Sequence, residues 1–291
     1  MTVHLAVGET TAVVDPDQGG RLASLVVAGH QRLIDRADPG AQLPPVSWGS
    51  FPMIPWVGRM RRGELDIGGA IHRLPPNFGA HAIHGLAFHV PWEVATSTER
   101  LVELRRRLGD GDGWPVGAWL GQTIELSEDA ISFRIEVTAD APMPIAVGWH
   151  PWFRRRLGSP IVVSVPADAV LETSDDMIPT GAIIPVAGPT DLRRPADLGD
   201  RALDHAYVGV SGPSRIAWPD LELTIEAAPL GSIVVHSTPR AVCVEPQTAW
   251  PDAHRLAAAH HATGLVTLTA GETFVATSRW SWRRLDPSRP T

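Results

Sequence analysis

Hydrophobic and polar positions alternate with a period of two along much of the chain. Ile131, Phe133, Ile135, Val137 and Ala139 are interleaved with Ser132, Arg134, Glu136, Thr138 and Asp140. Successive side chains of an extended backbone point to opposite sides, so this spacing predicts a strand with one buried face. Leu221, Leu223 and Ile225 alternate with Glu222, Thr224 and Glu226 in the same way. Further candidate strands cover residues 161–165, 182–186, 233–236, 242–245 and 273–280. Two hairpins are predicted. One joins 22–27 to 31–34 across Ala28-Gly29-His30; the other joins 64–67 to 71–74 across Gly68-Gly69. Helical signal is scarce. Asp252 is placed to cap a short helix over 253–261 that ends at Gly264, and 189–200 has room for a turn or two. The 27 glycines and 27 prolines are spread throughout, as many strand-connecting turns require, with no linker, repeat or low-complexity tract. The pattern predicts an all-β fold, a large antiparallel β-sandwich, as a single domain over residues 1–291.

Composition narrows the chemistry. With 291 residues, 44% of them hydrophobic, the chain can bury a sizeable core. A net charge of −7 argues against nucleic acid and anionic membranes as partners. No apolar run is long enough to span a bilayer, and the N-terminus lacks the basic-then-apolar pattern of a signal peptide, so the expected location is cytoplasmic. All 25 basic residues are arginine. The absence of lysine removes Schiff-base chemistry and the P-loop lysine, and leaves arginine as the fixed cation for oxygen-rich ligands. The single cysteine, Cys243, forms no internal disulfide and reads as a buried, inert thiol.

Against that background, three distant segments stand out: Ala80-His81-Ala82-Ile83-His84-Gly85, Gly148-Trp149-His150-Pro151-Trp152-Phe153 and Val244-Glu245-Pro246-Gln247-Thr248. Imidazoles and a carboxylate are the minimal set for moving protons at neutral pH. Glu245 ends an apolar run, where desolvation makes a carboxylate a better base; Pro246 is expected to stop the strand there. The competing reading is a solvated strand-end glutamate. His150 lies among Trp149, Trp152 and Phe153, surfaces on which sugar rings pack; the competing reading is a histidine satisfied within an aromatic core. His81 and His84 also admit a metal reading with His150 and Glu245, but their loop carries no strong metal-site signature. Arg59 follows the proline-fixed Phe51-Pro52-Met53-Ile54-Pro55-Trp56-Val57-Gly58 and can present its forked donors to vicinal hydroxyls or form a structural ion pair. Asp204 can accept from hydroxyls or simply shape a turn. Two arginine clusters, Arg61-Arg62 and Arg154-Arg155-Arg156, read as solvated or as phosphate receivers.

Taken together, Pro55-Trp56-Val57-Gly58-Arg59, Ile83-His84-Gly85, Gly148-Trp149-His150-Pro151-Trp152-Phe153, Leu203-Asp204-His205-Ala206 and Val244-Glu245-Pro246-Gln247-Thr248 resemble, in order, the landmarks of the aldose 1-epimerase (galactose mutarotase) family. The resemblance implies a β-sandwich with an open sugar cleft, Glu245 as general base, His150 as general acid and His84 as a second histidine at the ring oxygen. It places Arg59, Asp204, Gln247 and His81 in sugar binding. The chain departs from the family where Trp152 replaces a common tyrosine, and where the asparagine usual near His84 has its nearest counterpart in Asn77. The implied reaction is ring opening and closure of a free aldohexose, with no metal, nucleotide or other cofactor. The implied partner is a small-molecule sugar, with the protein a monomer or homodimer. The alternatives are a hexose-6-phosphate 1-epimerase and a non-catalytic carbohydrate-binding protein on the same scaffold.

Overall fold

The computed structural model describes residues 1–38, 44–157 and 159–286. Two antiparallel sheets hold most of the strands. The larger has twelve. Its main path runs Val3–Val7, Thr10–Asp15, Arg21–Val27, Ser50–Met53, Gly148–Pro151, Ala241–Gln247, Ser232–Ser237, Asp204–Val208, Ala169–Thr173, Pro179–Pro185. The smaller has nine: Glu93–Ser97, Leu101–Leu108, Ala118–Leu126, Ala130–Ala139, Thr273–Arg284, Leu221–Ala228, Ser214–Trp218, Val162–Ser164 and Ala196–Asp197. The main core lies between them. Phe133 and Trp280 of the smaller sheet meet Trp149 and Phe153 from the region of the larger, with ring centroids 6.3 Å (Phe133–Trp149) and 5.1 Å (Phe153–Trp280) apart.

Periodicity explains the smaller sheet directly. Ala118, Leu120, Gln122, Ile124 and Leu126 are buried, while the residues between them face outward. The 130–139 strand pairs with it in unbroken register from Ala118↔Ala139 to Leu126↔Ile131. The larger sheet differs at its centre, where every residue of Ser50–Met53, Gly148–Pro151 and Ala241–Gln247 is buried. Alternation persists within this burial. Val242 and Val244 enter the main core, Ala241 and Cys243 join a second cluster on the other face, and Glu245 and Gln247 line a cleft above it. The cleft therefore has a floor of strand residues, held by the ladder.

Both predicted hairpins form. Arg21–Val27 turns through Ala28 and Gly29 into His30–Gln31, and Glu64–Ile67 turns through Gly68 and Gly69 into Ala70–Arg73. Three expectations are corrected. The 241–247 strand does not stop at Pro246, which stays in register with Ile233. A strand residue directs its N–H to one neighbour only, so proline removes a single ladder bond. The predicted 253–261 helix is one turn, Ala253–Leu256, followed by a 3-10 turn at His261–Thr263. Asp252 does not cap it. Its φ is +59°, and its carboxylate instead accepts from the Arg61 N–H at 3.0 Å and the Arg255 Nε–H at 2.6 Å. The 189–200 segment forms a 3-10 turn at Gly188–Thr190 and a short strand, not a helix. Among the described residues no helix is long and apolar enough to cross a membrane.

Candidate active site

The ladder itself brings His150 and Glu245 together. Gly148 pairs with Gln247 and Phe153 with Val242. His150 and Glu245 lie between these two pairings, one on each strand. Their side chains share the cleft face, with His150 Nε2 3.2 Å from Glu245 Oε1 and both groups almost completely buried. The His150 ring is held flat between Phe51, 4.8 Å away, and Trp152, 5.2 Å away. Gln247 donates its amide to Glu245 Oε2 at 3.1 Å. One carboxylate oxygen thus faces an imidazole and the other an amide.

His84 arrives from a loop. The short pairing of Arg59–Met60 with Ala82–Ile83 sets Arg59 opposite Ile83, next to His84 in the chain. His84 has φ +63°, a region bulky residues enter only when their surroundings compel it. Its N–H donates to Gly58 O at 2.9 Å, and the next residue must be glycine, because a Cβ on Gly85 would stand 2.0 Å from Ile54 O. Asn77 braces the same loop, donating to Ile83 O and accepting from Ile83 N–H at 2.7 Å. The result packs the His84 ring edge-on against His150, centroids 4.7 Å apart.

A polar wall stands beside this floor. Arg59 Nη2 donates to Asp204 Oδ2 at 3.1 Å. Register then explains a residue that sequence reading missed. Asp204 pairs with His236, which in turn pairs with Cys243. His236 Nδ1 lies 3.8 Å from Asp204 Oδ1, and its ring meets Trp152 edge-on at 5.6 Å. The available signal was a polar residue ending the apolar run 233–235, the same feature that singled out Glu245. Arg59, His84, His150, Asp204, His236, Glu245 and Gln247 all line one cavity of about 230 Å³, a small-molecule scale. His81 lies outside that lining. It is buried, and both ring nitrogens already contact protein. Of the arginine clusters, Arg154 pairs with Asp38 and Arg155 donates to main-chain carbonyls of 199, 201 and 238. Arg61 and Arg62 are exposed outside the lining.

Electrostatics follow burial. Desolvation first, then the Asp204 charge, raises the Glu245 carboxyl well above its ordinary value, against the opposing Gln247 hydrogen bond. Burial, then His84 and His236, pushes His150 well below its ordinary value. Burial, Arg59 and His236 lower His84 to about 3. Both shifts in the His150–Glu245 pair run in the direction that favours the neutral forms over an ion pair. Transfer of a proton across the 3.2 Å contact between Oε1 and Nε2 interconverts the neutral and charged forms of the pair. Nδ1 of His84, Nδ1 of His150 and Oε1 of Gln247 are buried without a partner among the described residues. Burial without partners favours a ligand that supplies hydroxyls. Cys243 sits beneath the pair, its thiol raised well above the ordinary value by burial and by Glu245. The alternative metal reading of His81 and His84 with His150 and Glu245 finds no such grouping among the described residues. The nearest such grouping is His150, Cys243 and Glu245, whose ligand atoms lie within 4.8 Å of one another.

Comparison with known proteins identifies a family for the chain and matches its fold. A family model described as aldose 1-epimerase matches residues 1–281. The chain is 30% identical over 164 residues to mouse galactose mutarotase, covering 53% of this chain and 47% of that protein. It is 27% identical over 159 residues to the human protein, covering 51% and 46%. The matches thus span about half the length of these relatives. In fold, it superposes on a galactose mutarotase-like protein from Clostridium acetobutylicum with a TM-score of 0.87, at 18% identity over 98% of this chain and 95% of that one. An aldose epimerase homologue from C. elegans gives 0.84, at 20% identity over 98% and 99%.

Proposed function

The chain belongs to the aldose 1-epimerase family, and we propose that it interconverts the α and β anomers of a free aldose by general acid–base ring opening and closure. The observation that carries this reading is the 3.2 Å contact between His150 Nε2 and Glu245 Oε1 in the floor of the cleft. Opening a cyclic hemiacetal moves a proton from the anomeric oxygen to the ring oxygen. Both oxygens are bonded to C1, so acceptor and donor must be neighbours. A pair already in contact has that spacing, and a bound sugar would bridge it.

The pair needs one proton in total. In its charged form, Glu245 accepts the proton of the anomeric hydroxyl while His150 donates to the ring oxygen. The C1–O5 bond breaks, and the pair is left as carboxylic acid and neutral imidazole. The aldehyde rotates about C1–C2. On closure from the other face, His150 takes the proton of the C5 hydroxyl as its oxygen attacks C1, and Glu245 returns a proton to the former carbonyl oxygen. Protons balance and the pair returns to its starting form. His84, neutral throughout, offers a hydrogen bond to the ring oxygen. Arg59, Asp204 and the free Gln247 Oε1 meet hydroxyls. Arg59 is the single arginine in the lining and is engaged by Asp204, which favours an uncharged sugar over a phosphorylated one.

Polarimetry of freshly dissolved α-galactose and α-glucose tests the reading. Equilibration faster than the buffer rate is expected with either sugar. A strong preference for glucose 6-phosphate would replace the free-aldose assignment. Galactose binding by calorimetry without any acceleration would replace the enzyme with a binding protein.

A further inference from the structure

The cleft's mouth is built from two segments nearly a hundred residues apart in sequence. One is the turn at 77–81, where Asn77 and Phe78 N–H groups both donate to His81 O. The other is the hairpin tip between Ala169–Thr173 and Pro179–Pro185, where Met177 sits at φ +62° and donates to Ser174 O. Phe78 and Met177 each line the cleft from their own side. A side-chain hydrogen bond joins the two segments: His81 Nε2 lies 3.2 Å from Asp176 Oδ2.

The chemistry of that contact is fixed. The Arg62 main-chain N–H donates to His81 Nδ1 at 3.1 Å. Nδ1 is therefore the acceptor, and Nε2 carries the hydrogen that goes to Asp176. Asp176 is itself aimed, since Ser174 Oγ lies 2.5 Å from its other oxygen. The contrast in exposure is large: the His81 side chain is 9% exposed and that of Asp176 61%. A buried ring thus reaches out to an exposed carboxylate at the hairpin tip. His84, by contrast, is held by Gly58 and by the Arg59–Ile83 pairing, independently of this contact.

We propose that His81 and Asp176 form a strap across the mouth, holding Phe78 and Met177 as an apolar subsite for the end of the sugar remote from C1. This rests on the anomeric reading, because depth orients the sugar: the proton-carrying pair is at the buried floor, Arg59 and Asp204 are part-way up, and Phe78, 48% exposed, is at the rim. Phe78 also lies under the Arg59 guanidinium at 5.3 Å, which covers one face of its ring, and its main chain is tied to His81 by N–H···O bonds in both directions, at 3.0 and 3.1 Å. The preferred substrates are aldoses whose far end is uncharged and rich in C–H surface. His81 and Asp176 are positioning residues; neither touches the reacting atoms.

The test uses Asp176→Ala and Asp176→Asn in the full chain. A neutral His81 needs only an acceptor oxygen, so Asn should serve and Ala should not. Without sugar, amide exchange in Asp176→Ala should quicken in both 77–81 and 174–178. With galactose, its KM should rise roughly tenfold while kcat stays within about twofold. Asp176→Asn should restore both readouts to near wild type. Exchange that quickens on one side only, or an unchanged KM in Asp176→Ala, overturns the strap. So does an Asn variant as impaired as Ala, which would mean that charge rather than a hydrogen bond is at work. A wild-type protein that fails to accelerate mutarotation would sink the anomeric reading instead; the sugar-free exchange result decides the strap on its own.

Discussion

The two sheets of this protein are built by the same rule and used differently. In the smaller one, the outer face of Ala130–Ala139 carries Ser132, Arg134, Glu136 and Thr138, paired across strands or with one another and otherwise in solvent. In the larger one, the corresponding outward positions of Ala241–Gln247 are Cys243, Glu245 and Gln247, and they are fully buried because loops close over them. Covering one face of a sheet turns an ordinary polar stripe into a set of desolvated, mutually perturbed groups. That cover, rather than the strand, makes Glu245 and His150 chemically different from Glu136 and Arg134.

The largest effect separating the two stripes is on activity. Glu245→Gln and His150→Asn should each lower the mutarotation rate by about 10²–10⁴-fold, the usual contribution of a positioned proton carrier. Both variants should keep the wild-type circular dichroism spectrum. Glu136→Gln, on the uncovered stripe, should leave the rate unchanged. Full activity in Glu245→Gln or His150→Asn would remove the distinction.

This contrast also explains what could be read from the chain. The smaller sheet was legible because half its positions meet water, so alternation survives in the sequence; Ile131 to Ala139 needed no further information. The covered stripe was legible by a different signal, polar residues at the ends of apolar runs, which found Glu245 and His150 but passed over His236 because no neighbouring motif drew attention to it. The Asp204↔His236↔Cys243 register that places His236 is a long-range property and has no local sequence signature. Local rules failed where tertiary partners outbid them. Asp252 has the composition of a cap, yet Arg61 and Arg255 claim its carboxylate. Proline marks a strand end in isolation, yet Pro246 is carried through by the neighbouring ladder. The family resemblance put His81 among the sugar-binding residues, and only three-dimensional placement reveals its two protein partners.

The shared core beneath both stripes should respond to truncation alike from either side. Trp280 is fully buried between Phe133 at 4.6 Å and Phe153 at 5.1 Å, bridging the sheets. Trp280→Ala should cost about 3–5 kcal/mol of unfolding free energy in urea titrations. A loss below about 1 kcal/mol would mean that the intersheet packing is not as described.

The covered face should also make stability depend on pH in a way the open face does not. His84 has a folded value of about 3, below its ordinary 6.5. A lowered value means that the fold holds the neutral ring. The resulting stability is complete above pH 6.5 and is lost as pH falls from 6.5 towards 3. Over that window His84 alone adds a slope of about 1.4 kcal/mol per pH unit. Replacing it with a non-titrating residue, as in His84→Gln, should flatten the acid side of a melting-temperature profile by that amount. An unchanged slope would mean that the ring is solvated in the folded protein.

The smallest expected effect is the sharpest control on the open stripe. Trp119 lies on the smaller sheet, 52% exposed, with the Arg107 guanidinium 5.5 Å from its ring. It is as large as Trp280, so a rule based on residue type would predict a similar loss. Exposure predicts otherwise: most of its area meets water in both folded and unfolded chains, and an exposed cation–π contact contributes only about 0.5–1 kcal/mol. Arg107 keeps Asp140 as a partner when the ring is gone. Trp119→Ala should therefore change unfolding free energy by less than about 1 kcal/mol and leave mutarotation untouched. A loss approaching that of Trp280→Ala would show that something covers this face too, and the difference between the two sheets would then lie in what does the covering.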